Sequence, residues 1–423
     1  MTRVTATYEI ESPMGIARAA EVLAGEQSTG TFGHVPLETE ELRDRSGACI
    51  EKLQVTGHSR ESSLPCRISG ETFERGLATI SWSLANFGTS LPNLLSTVAG
   101  NLFELAELSA VRLVDLGLPS EFAAANPGPK FGARGTRRLL DERTGPLIGT
   151  IIKPSVGLGP EETADLVKTL AEAGIDFIKD DELQADGPHC PLADRVAAVM
   201  RVLNEHAERT GRKVIYAFNI TDEIDRMWRN LDLLSDHGAC CAMICMNSVG
   251  LSGLRAVRER SPHVIHGHRA GWGLYSRSPD IGIGFAVWQK LWRLAGADHL
   301  HVNGLGSKFT ESDRVVAASA RSVQAPVFSD GGPDYTAMPV YSSAQTVWQI
   351  GPARDVLGND DFIYCAGGGI QGHPDGPAAG VEALRQACEA ATAGVSLEEH
   401  AASNLQLRTA LETFRKPAFT ASG

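Results

Sequence analysis

Gly174-Ile175-Asp176-Phe177-Ile178-Lys179-Asp180-Asp181-Glu182 is an apolar, strand-like run that ends in an amine followed by three carboxylates. On an extended chain alternate side chains share a face, so Lys179 and Asp181 point the same way and Glu182 falls where the strand runs out into a loop. An isolated Lys-Asp-Asp is best read as an ion pair. If the amine captures carbon dioxide as a carbamate, it becomes a third hard oxygen ligand beside Asp181 and Glu182 for a magnesium-sized cation.

Other groups capable of chemistry also stand at the ends of apolar runs. Lys153 closes one run, His266, His268 and Arg269 another, and His299 and His301 a third, with Lys308 a few residues beyond. Ser329 with Gly331 and Gly332, and the triplet Gly367-Gly368-Gly369, are turns whose bare backbone N–H groups can approach an anion. Taken singly, each has a bland reading: a hydrogen-bonded core histidine, a solvated lysine, a tight turn. Recurrence at successive strand ends is what favours a catalytic reading.

From Leu147 onward a strand–helix rhythm sets in. The predicted strands are Leu147–Pro154, Asp176–Asp181, Val214–Ile220, Ala242–Ser248, Val264–Arg269, His299–Gly304, Pro326–Asp330 and Phe362–Gly368. Helical patterns over Pro160–Ala173, Pro191–Arg209, Asp222–Ser235, Phe285–Leu294 and Pro339–Ile350 separate them. Eight such units in about 250 residues is the arithmetic of a (β/α)8 TIM barrel, whose catalytic groups sit at the C-terminal ends of its strands. A doubly wound open sheet is the alternative. Residues 1–122 differ: alternating Val4–Ile10, a helix-like Gly15–Gly25, a second strand over Ala78–Leu84 and helical sequence from Leu91 to Leu108 predict an N-terminal α+β, ferredoxin-like domain. Residues 123–146 read as a linker, and 147–423 as the α/β barrel domain with C-terminal helices.

The 423 residues include 43% hydrophobic and 21% charged side chains, ordinary for a globular chain with a sizeable core. A net charge of −12 argues against nucleic acid as partner. The sequence has no long apolar run for a membrane span, and its eight cysteines include no CxxC unit, so reduced thiols in the cytoplasm are expected.

These motifs together resemble the RuBisCO superfamily over nearly the whole chain. Gly149-Thr150-Ile151-Ile152-Lys153-Pro154 is similar to the family's first-strand segment ending in a catalytic lysine. Gly174 to Glu182 resembles the segment in which the lysine is an N6-carboxylysine that holds magnesium with the following Asp and Glu. His266-Gly267-His268-Arg269-Ala270, Asp298-His299-Leu300-His301, the loop lysine Lys308 and Cys365-Ala366-Gly367-Gly368-Gly369-Ile370-Gln371-Gly372-His373-Pro374 resemble its substrate and phosphate segments. Glu26 to Phe32 and Asn93 are similar to the N-terminal residues that one subunit lends to its partner's site.

The departures are as informative. Ser155-Val156-Gly157 follows Lys153-Pro154 where carboxylases carry a second lysine, Trp272 replaces a histidine, Phe32 replaces a tryptophan, and one extra residue separates Ser329 from Gly332. The resemblance therefore implies a RuBisCO-like protein, not a carbon-fixing enzyme. It implies Mg2+ on carbamylated Lys179, Asp181 and Glu182; Lys153, His268 and Lys308 as catalytic groups; and Asn93, Arg269, His301, Ser329, Gly332, Gly367 and Gly368 as substrate or phosphate contacts. A homodimer or larger homo-oligomer with shared active sites follows. The expected reaction is decarboxylation of a phosphorylated 3-keto sugar acid of the 3-oxo-isoapionate 4-phosphate type through an enediolate, in carbohydrate catabolism. Hydrolytic C–C cleavage of the same substrate, enolisation of a methylthio-sugar phosphate in methionine salvage, and a non-catalytic regulatory binder are the alternatives.

Overall fold

A computed structural model describes residues 2–30 and 35–419; Thr31 and Phe32 of the N-terminal loop lie outside the described residues. In chain order the strands are β1 (Arg3–Ser12), β2 (Cys49–Ser59), β3 (Phe73–Ser83), β4 (Ala110–Gly117), β5 (Leu147–Ile151), β6 (Phe177–Lys179) and β7 (Ile215–Asn219). There follow β8 (Cys241–Cys245), β9 (Val264–His268), β10 (Ile281–Ile283), β11 (His299–Asn303), β12 (Met338–Tyr341) and β13 (Ile363–Cys365). Two compact units result, one from Met1–Pro127, Gly271–Ala295 and Pro326–Tyr335, the other from Gly128–Ala270, Gly296–Ala325 and Thr336–Gly423. Sequence reading cuts the chain into consecutive blocks, 1–122, 123–146 and 147–423. In the structure two later segments rejoin the first unit.

The first unit is built on a five-stranded sheet in the order β10-β4-β1-β3-β2. β1 pairs antiparallel with β3 and β4, and β10 adds to β4 in parallel. Along β1 the side chains of Val4, Ala6, Tyr8 and Ile10 are buried and alternate with more exposed ones, the period-2 pattern of a sheet with one covered face. The helix Ile16–Glu26 buries Ile16, Ala19, Ala20, Leu23 and Ala24 along one stripe.

The second unit is a closed parallel barrel in the order β11-β12-β13-β5-β6-β7-β8-β9. Its strands are buried on both faces, which is why they read as apolar runs and not as alternating ones. Leu147, Phe177, Ile215, Met243, Val264, Met338 and Val340 contribute to one interior cluster. The surrounding helices carry local signals: Pro160–Glu172 starts with Pro at its first turn, Glu162 accepts a hydrogen bond from the Gly159 N–H at 2.8 Å, and Leu192–Thr210 stops at Gly211 in the left-handed conformation (φ 71°).

One predicted strand is corrected. The seventh barrel strand is Met338–Tyr341, inside the segment predicted to be helical, and not Pro326–Asp330. Phe328 instead makes an isolated parallel bridge to Leu118, and the Ser329 N–H donates to the Leu118 carbonyl at 3.1 Å, both within the first unit. Pro339 misleads because a proline within a strand removes a ladder donor and reads more naturally as a helix start. The β-rich Pro-Val-Phe at 326–328 then looks the better strand.

Candidate active site at the strand ends of the barrel

β6 delivers Lys179, Asp180 and Asp181 to the barrel mouth with different fates. The Asp180 carboxylate turns away and is fully used: it accepts from both Arg195 Nε (3.3 Å) and Nη2 (3.1 Å), from the Tyr216 hydroxyl (2.5 Å) and from the Asn219 N–H (2.8 Å). Asp180 and Arg195 are essentially solvent-free, so this pair is an internal brace that fixes the strand end. Lys179 is completely buried, and its Nζ donates to the Asp180 carbonyl at 2.7 Å.

Asp181 faces the site. Its Oδ2 accepts from Lys153 Nζ at 2.6 Å, and its Oδ1 from the Leu183 N–H at 3.2 Å. Burial raises this carboxyl, but the hydrogen bonds from Lys153 and Leu183 and the charges of Lys153 and Lys179 outweigh it and hold the group below the usual aspartate range. Lys153, at the end of β5, also donates to Ser155 Oγ at 2.7 Å, and Gln371 accepts its backbone N–H at 3.1 Å. Glu182 is partly exposed, with Oε2 3.5 Å from His268 Nε2. His268 Nδ1 accepts from the Ala270 N–H at 3.2 Å, which leaves the ring proton on Nε2, toward Glu182.

The other predicted residues are distributed as follows. Arg269 is buried and donates to Glu311 Oε2 at 2.5 Å, and Asn303 donates to the same oxygen at 2.9 Å. His301 lies with its ring centroid 4.5 Å from that of His268. Gly367 approaches the β5 end, where a Cβ on it would lie 3.6 Å from both Ile151 Cδ1 and Lys153 Cε. Gly369 has no room for a side chain, since an added Cβ would come within 2.3 Å of the Gln345 carbonyl oxygen. Lys308 is exposed in the loop after β11, its Nζ 5.5 Å from the Phe309 ring centroid. Lys153, Lys179, Asp181, Glu182, His268, Arg269, His301, Lys308, Gly367 and Gly368 thus belong to the barrel unit. Asn93, exposed on the helix Leu91–Ala99, and Ser329 and Gly332 belong to the first unit.

Ser329 and Gly332 therefore do not follow a barrel strand. The turn that follows the seventh strand is Ser342-Ser343-Ala344, with Ser343 (φ 75°) and Ala344 (φ 53°) in the left-handed region that glycine normally occupies. Ser342 Oγ is 2.9 Å from His301 Nδ1. Sequence reading passed over these residues because they lack glycine. The signal was the short run Met338-Pro339-Val340-Tyr341 ahead of them.

The donor chemistry fits a hard divalent cation on one condition. Among the described residues no three His, Cys, Asp or Glu side chains gather as a metal centre. Asp181 and Glu182 offer two carboxylates side by side, and the buried Lys179 amine supplies a third oxygen donor only as a carbamate.

The histidines here are neutral bases. Burial is the leading cause that drives His266, His268 and His301 well below the ordinary histidine value, with the Lys179 charge adding to it, and that brings His299 to about 3.

Comparison with known proteins places the chain in a family. Residues 2–122 match the ribulose bisphosphate carboxylase large chain N-terminal domain, and residues 132–414 match its catalytic domain. The chain is 53% identical over 413 residues to a 3-oxo-isoapionate-4-phosphate transcarboxylase/hydrolase of Xanthobacter autotrophicus, covering 98% of this chain and 99% of that protein. It is 39% identical over 413 residues to a 3-oxo-isoapionate-4-phosphate decarboxylase of Rhizobium etli, covering 97% and 98% of the two chains. The crystal structure of a rubisco-like protein from Burkholderia fungorum superimposes with a TM-score of 0.91 at 42% identity, over 98% of this chain and 100% of that one. The two family models together span nearly the whole chain, and the chain belongs to the ribulose bisphosphate carboxylase large-chain family.

Proposed function

We propose that this enzyme cleaves a carbon–carbon bond of a phosphorylated 3-oxo sugar acid of the 3-oxo-isoapionate 4-phosphate type, retaining the carboxyl carbon and ending in hydrolysis. The observation that carries this is the 53% identity to a relative named for transcarboxylation and hydrolysis, against 39% and 40% to two named decarboxylases. The sequence alone points to plain decarboxylation. The order of identities moves the preference to the hydrolytic branch, and decarboxylation becomes the second reading.

Both readings begin alike. A 3-oxo acid loses its carboxyl group when the C1–C2 bonding electrons move into the C3 carbonyl, leaving carbon dioxide and an enediolate. In the decarboxylase reading the enediolate carbon takes a proton and a tetrulose phosphate leaves. In the transcarboxylase reading the carbon dioxide is re-bonded at C3, and water adds to the new C2 ketone and cleaves C2–C3. The sum is substrate plus water to glycolate plus phosphoglycerate, which balances five carbons as two and three.

The residues supply matching roles. Lys179 would take carbon dioxide as a carbamate, its amine giving up one proton, and with Asp181 and Glu182 would hold Mg2+. When bound, magnesium supplies Lewis-acid stabilisation of negative charge on adjacent substrate oxygens. Lys153, held at Asp181, moves a proton at the enediolate carbon or its oxygen. Arg269 exchanges part of its hold on Glu311 for the substrate's anionic end. His268 contacts a substrate hydroxyl, and the backbone at Gly367 and Gly368, with Ser342, receives the phosphate. Lys308, in the loop after β11, would meet the substrate's carboxyl group in either reading. Among the structural neighbours is an archaeal enzyme described as dimeric and another described as octameric, which supports a homo-oligomer; in it a partner subunit would lend its Asn93.

The test is turnover of 3-oxo-isoapionate 4-phosphate with magnesium and bicarbonate, with products identified by mass spectrometry in 18O-water. Glycolate and phosphoglycerate, one carrying 18O in a carboxylate, are expected. Carbon dioxide with a tetrulose phosphate would move the enzyme to the decarboxylases, and enolisation of a methylthio diketo phosphate in place of both would overturn the substrate class.

A further inference from the structure

Below the strand ends, three histidine rings and two hydroxyls form one uninterrupted hydrogen-bonded line inside the barrel. Thr136 Oγ1 is 2.7 Å from His299 Nε2, His299 Nδ1 is 3.3 Å from His266 Nδ1, His266 Nε2 is 2.8 Å from His301 Nε2, and His301 Nδ1 is 2.9 Å from Ser342 Oγ. His266 and His299 are wholly buried, His301 nearly so, and the Phe177 ring packs at 5.0 Å on His266 and 5.9 Å on His299. From this line we infer that Thr136 sets the tautomers of His299, His266 and His301 in series, so that His301 presents a bare Nδ1 at the site.

The direction follows from one carbonyl. Thr136 Oγ1 lies 2.6 Å from the Gly132 carbonyl oxygen, which can only accept, so the hydroxyl hydrogen goes there. His299 Nε2 must then donate to Thr136. A neutral imidazole has a single N–H, so His299 Nδ1 is bare and accepts from His266 Nδ1. His266 Nε2 is bare in turn and accepts from His301 Nε2, which leaves His301 Nδ1 to accept the Ser342 hydroxyl. The rings alternate as Nε2–H, Nδ1–H and Nε2–H. Reversal would place two oxygens 2.6 Å apart at Thr136 and Gly132 with no hydrogen between them. Burial, which keeps all three rings neutral, leaves no second proton to blur the order.

Thr136, His299 and His266 are therefore positioning residues that reach no substrate themselves. They make the site face of His301 a proton acceptor and commit the Ser342 hydroxyl hydrogen to it in the resting protein, so that this hydrogen leaves His301 before Ser342 can donate to an anion. The tautomer pattern stands on the hydrogen bonds of the resting protein. Its kinetic consequence rests on the reading proposed above.

Two measurements separate these. In the full-length protein labelled with 15N-histidine and assigned with single-histidine variants, without magnesium or substrate, Nε2 of His299 and His301 and Nδ1 of His266 should resonate as protonated nitrogens, and their ring partners as bare ones. A His301 protonated on Nδ1, or any of the three as imidazolium, overturns the inference whatever the enzyme's reaction. Thr136→Val should flip the pattern and, on the proposed substrate, lower kcat roughly tenfold, the value of one neutral hydrogen bond, with KM within about twofold. Thr136→Ser, which keeps the hydroxyl, should restore both. An unchanged pattern in Thr136→Val, or a Thr136→Ser that behaves like Val, refutes Thr136 as the anchor.

Discussion

His299 ties the stability of the fold to pH with a magnitude that the structure supplies. Burial lowers this imidazole from an ordinary value of 6.5 to about 3. Between those limits the unfolded chain binds a proton at this position and the folded chain does not, so unfolding stability falls as pH falls through that window and is unaffected above about pH 7.5. By pH 5 the loss is about 2 kcal/mol for this one ring, and by pH 3, where the folded ring is itself half protonated, it is about 4 kcal/mol, at 1.36 kcal/mol per pH unit. His266 and His301 are lowered in the same direction by burial, and their contributions add with the same sign. The perturbation is His299→Asn, and the assay is urea unfolding by tryptophan fluorescence at pH 8, 6.5, 5.5 and 5. The variant is less stable at pH 8, having lost a packed ring and its bond to Thr136. Its further loss between pH 8 and 5, however, should be smaller than that of the wild type by about 2 kcal/mol, because one titrating group has left the unfolded chain. Equal pH dependence in the two proteins would mean that His299 takes up its proton inside the fold, and the buried neutral chain of rings would be refuted.

Three further outcomes follow from the site. Asp180→Asn leaves the buried Arg195 charge without its carboxylate and should cost about 3–5 kcal/mol in urea unfolding, whereas Asp181→Asn should cost far less stability while removing magnesium affinity. A small loss for Asp180→Asn would contradict its role as the internal brace. Lys179→Ala should remove magnesium-dependent turnover by at least about 10³-fold and abolish carbon dioxide-dependent magnesium binding in calorimetry; retained binding would refute the carbamate. Ser342→Ala should lower kcat/KM about tenfold, as expected for one lost hydrogen bond, while Ser329→Ala leaves it within about twofold. The reverse order would restore the turn at 329–332 as the phosphate contact.

Much of the candidate site's placement in the fold is legible in the sequence. Lys153, Lys179, Asp181, Glu182, His268 and Arg269 stand at or just beyond strand ends because their strands are short and buried, and a run of that kind stops where charge begins; His301 sits within β11. What escaped was the seventh strand, where local preference and tertiary pairing disagree. Pro339 signals a helix start, yet the segment is held as a strand because its neighbours β11 and β13 offer it two ladders. The misplaced strand carried Ser329 and Gly332 into the phosphate reading and left Ser342 out of it.

By itself the sequence determined that eight strand–helix units follow an α+β segment, and that an amine and two carboxylates meet at the end of the second. Those facts depend on neighbours along the chain: alternation, burial period, capping and motif spacing. Only the tertiary structure decided which of three adjacent carboxylates is a brace, since Asp180 is distinguished from Asp181 by Arg195, Tyr216 and Asn219 arriving from elsewhere. It likewise decided the sense of the Thr136–His299–His266–His301–Ser342 line, whose members span more than 200 residues of chain. Hydrogen-bond direction is set by which donor finds which acceptor in space, and barrel closure is what brings these together.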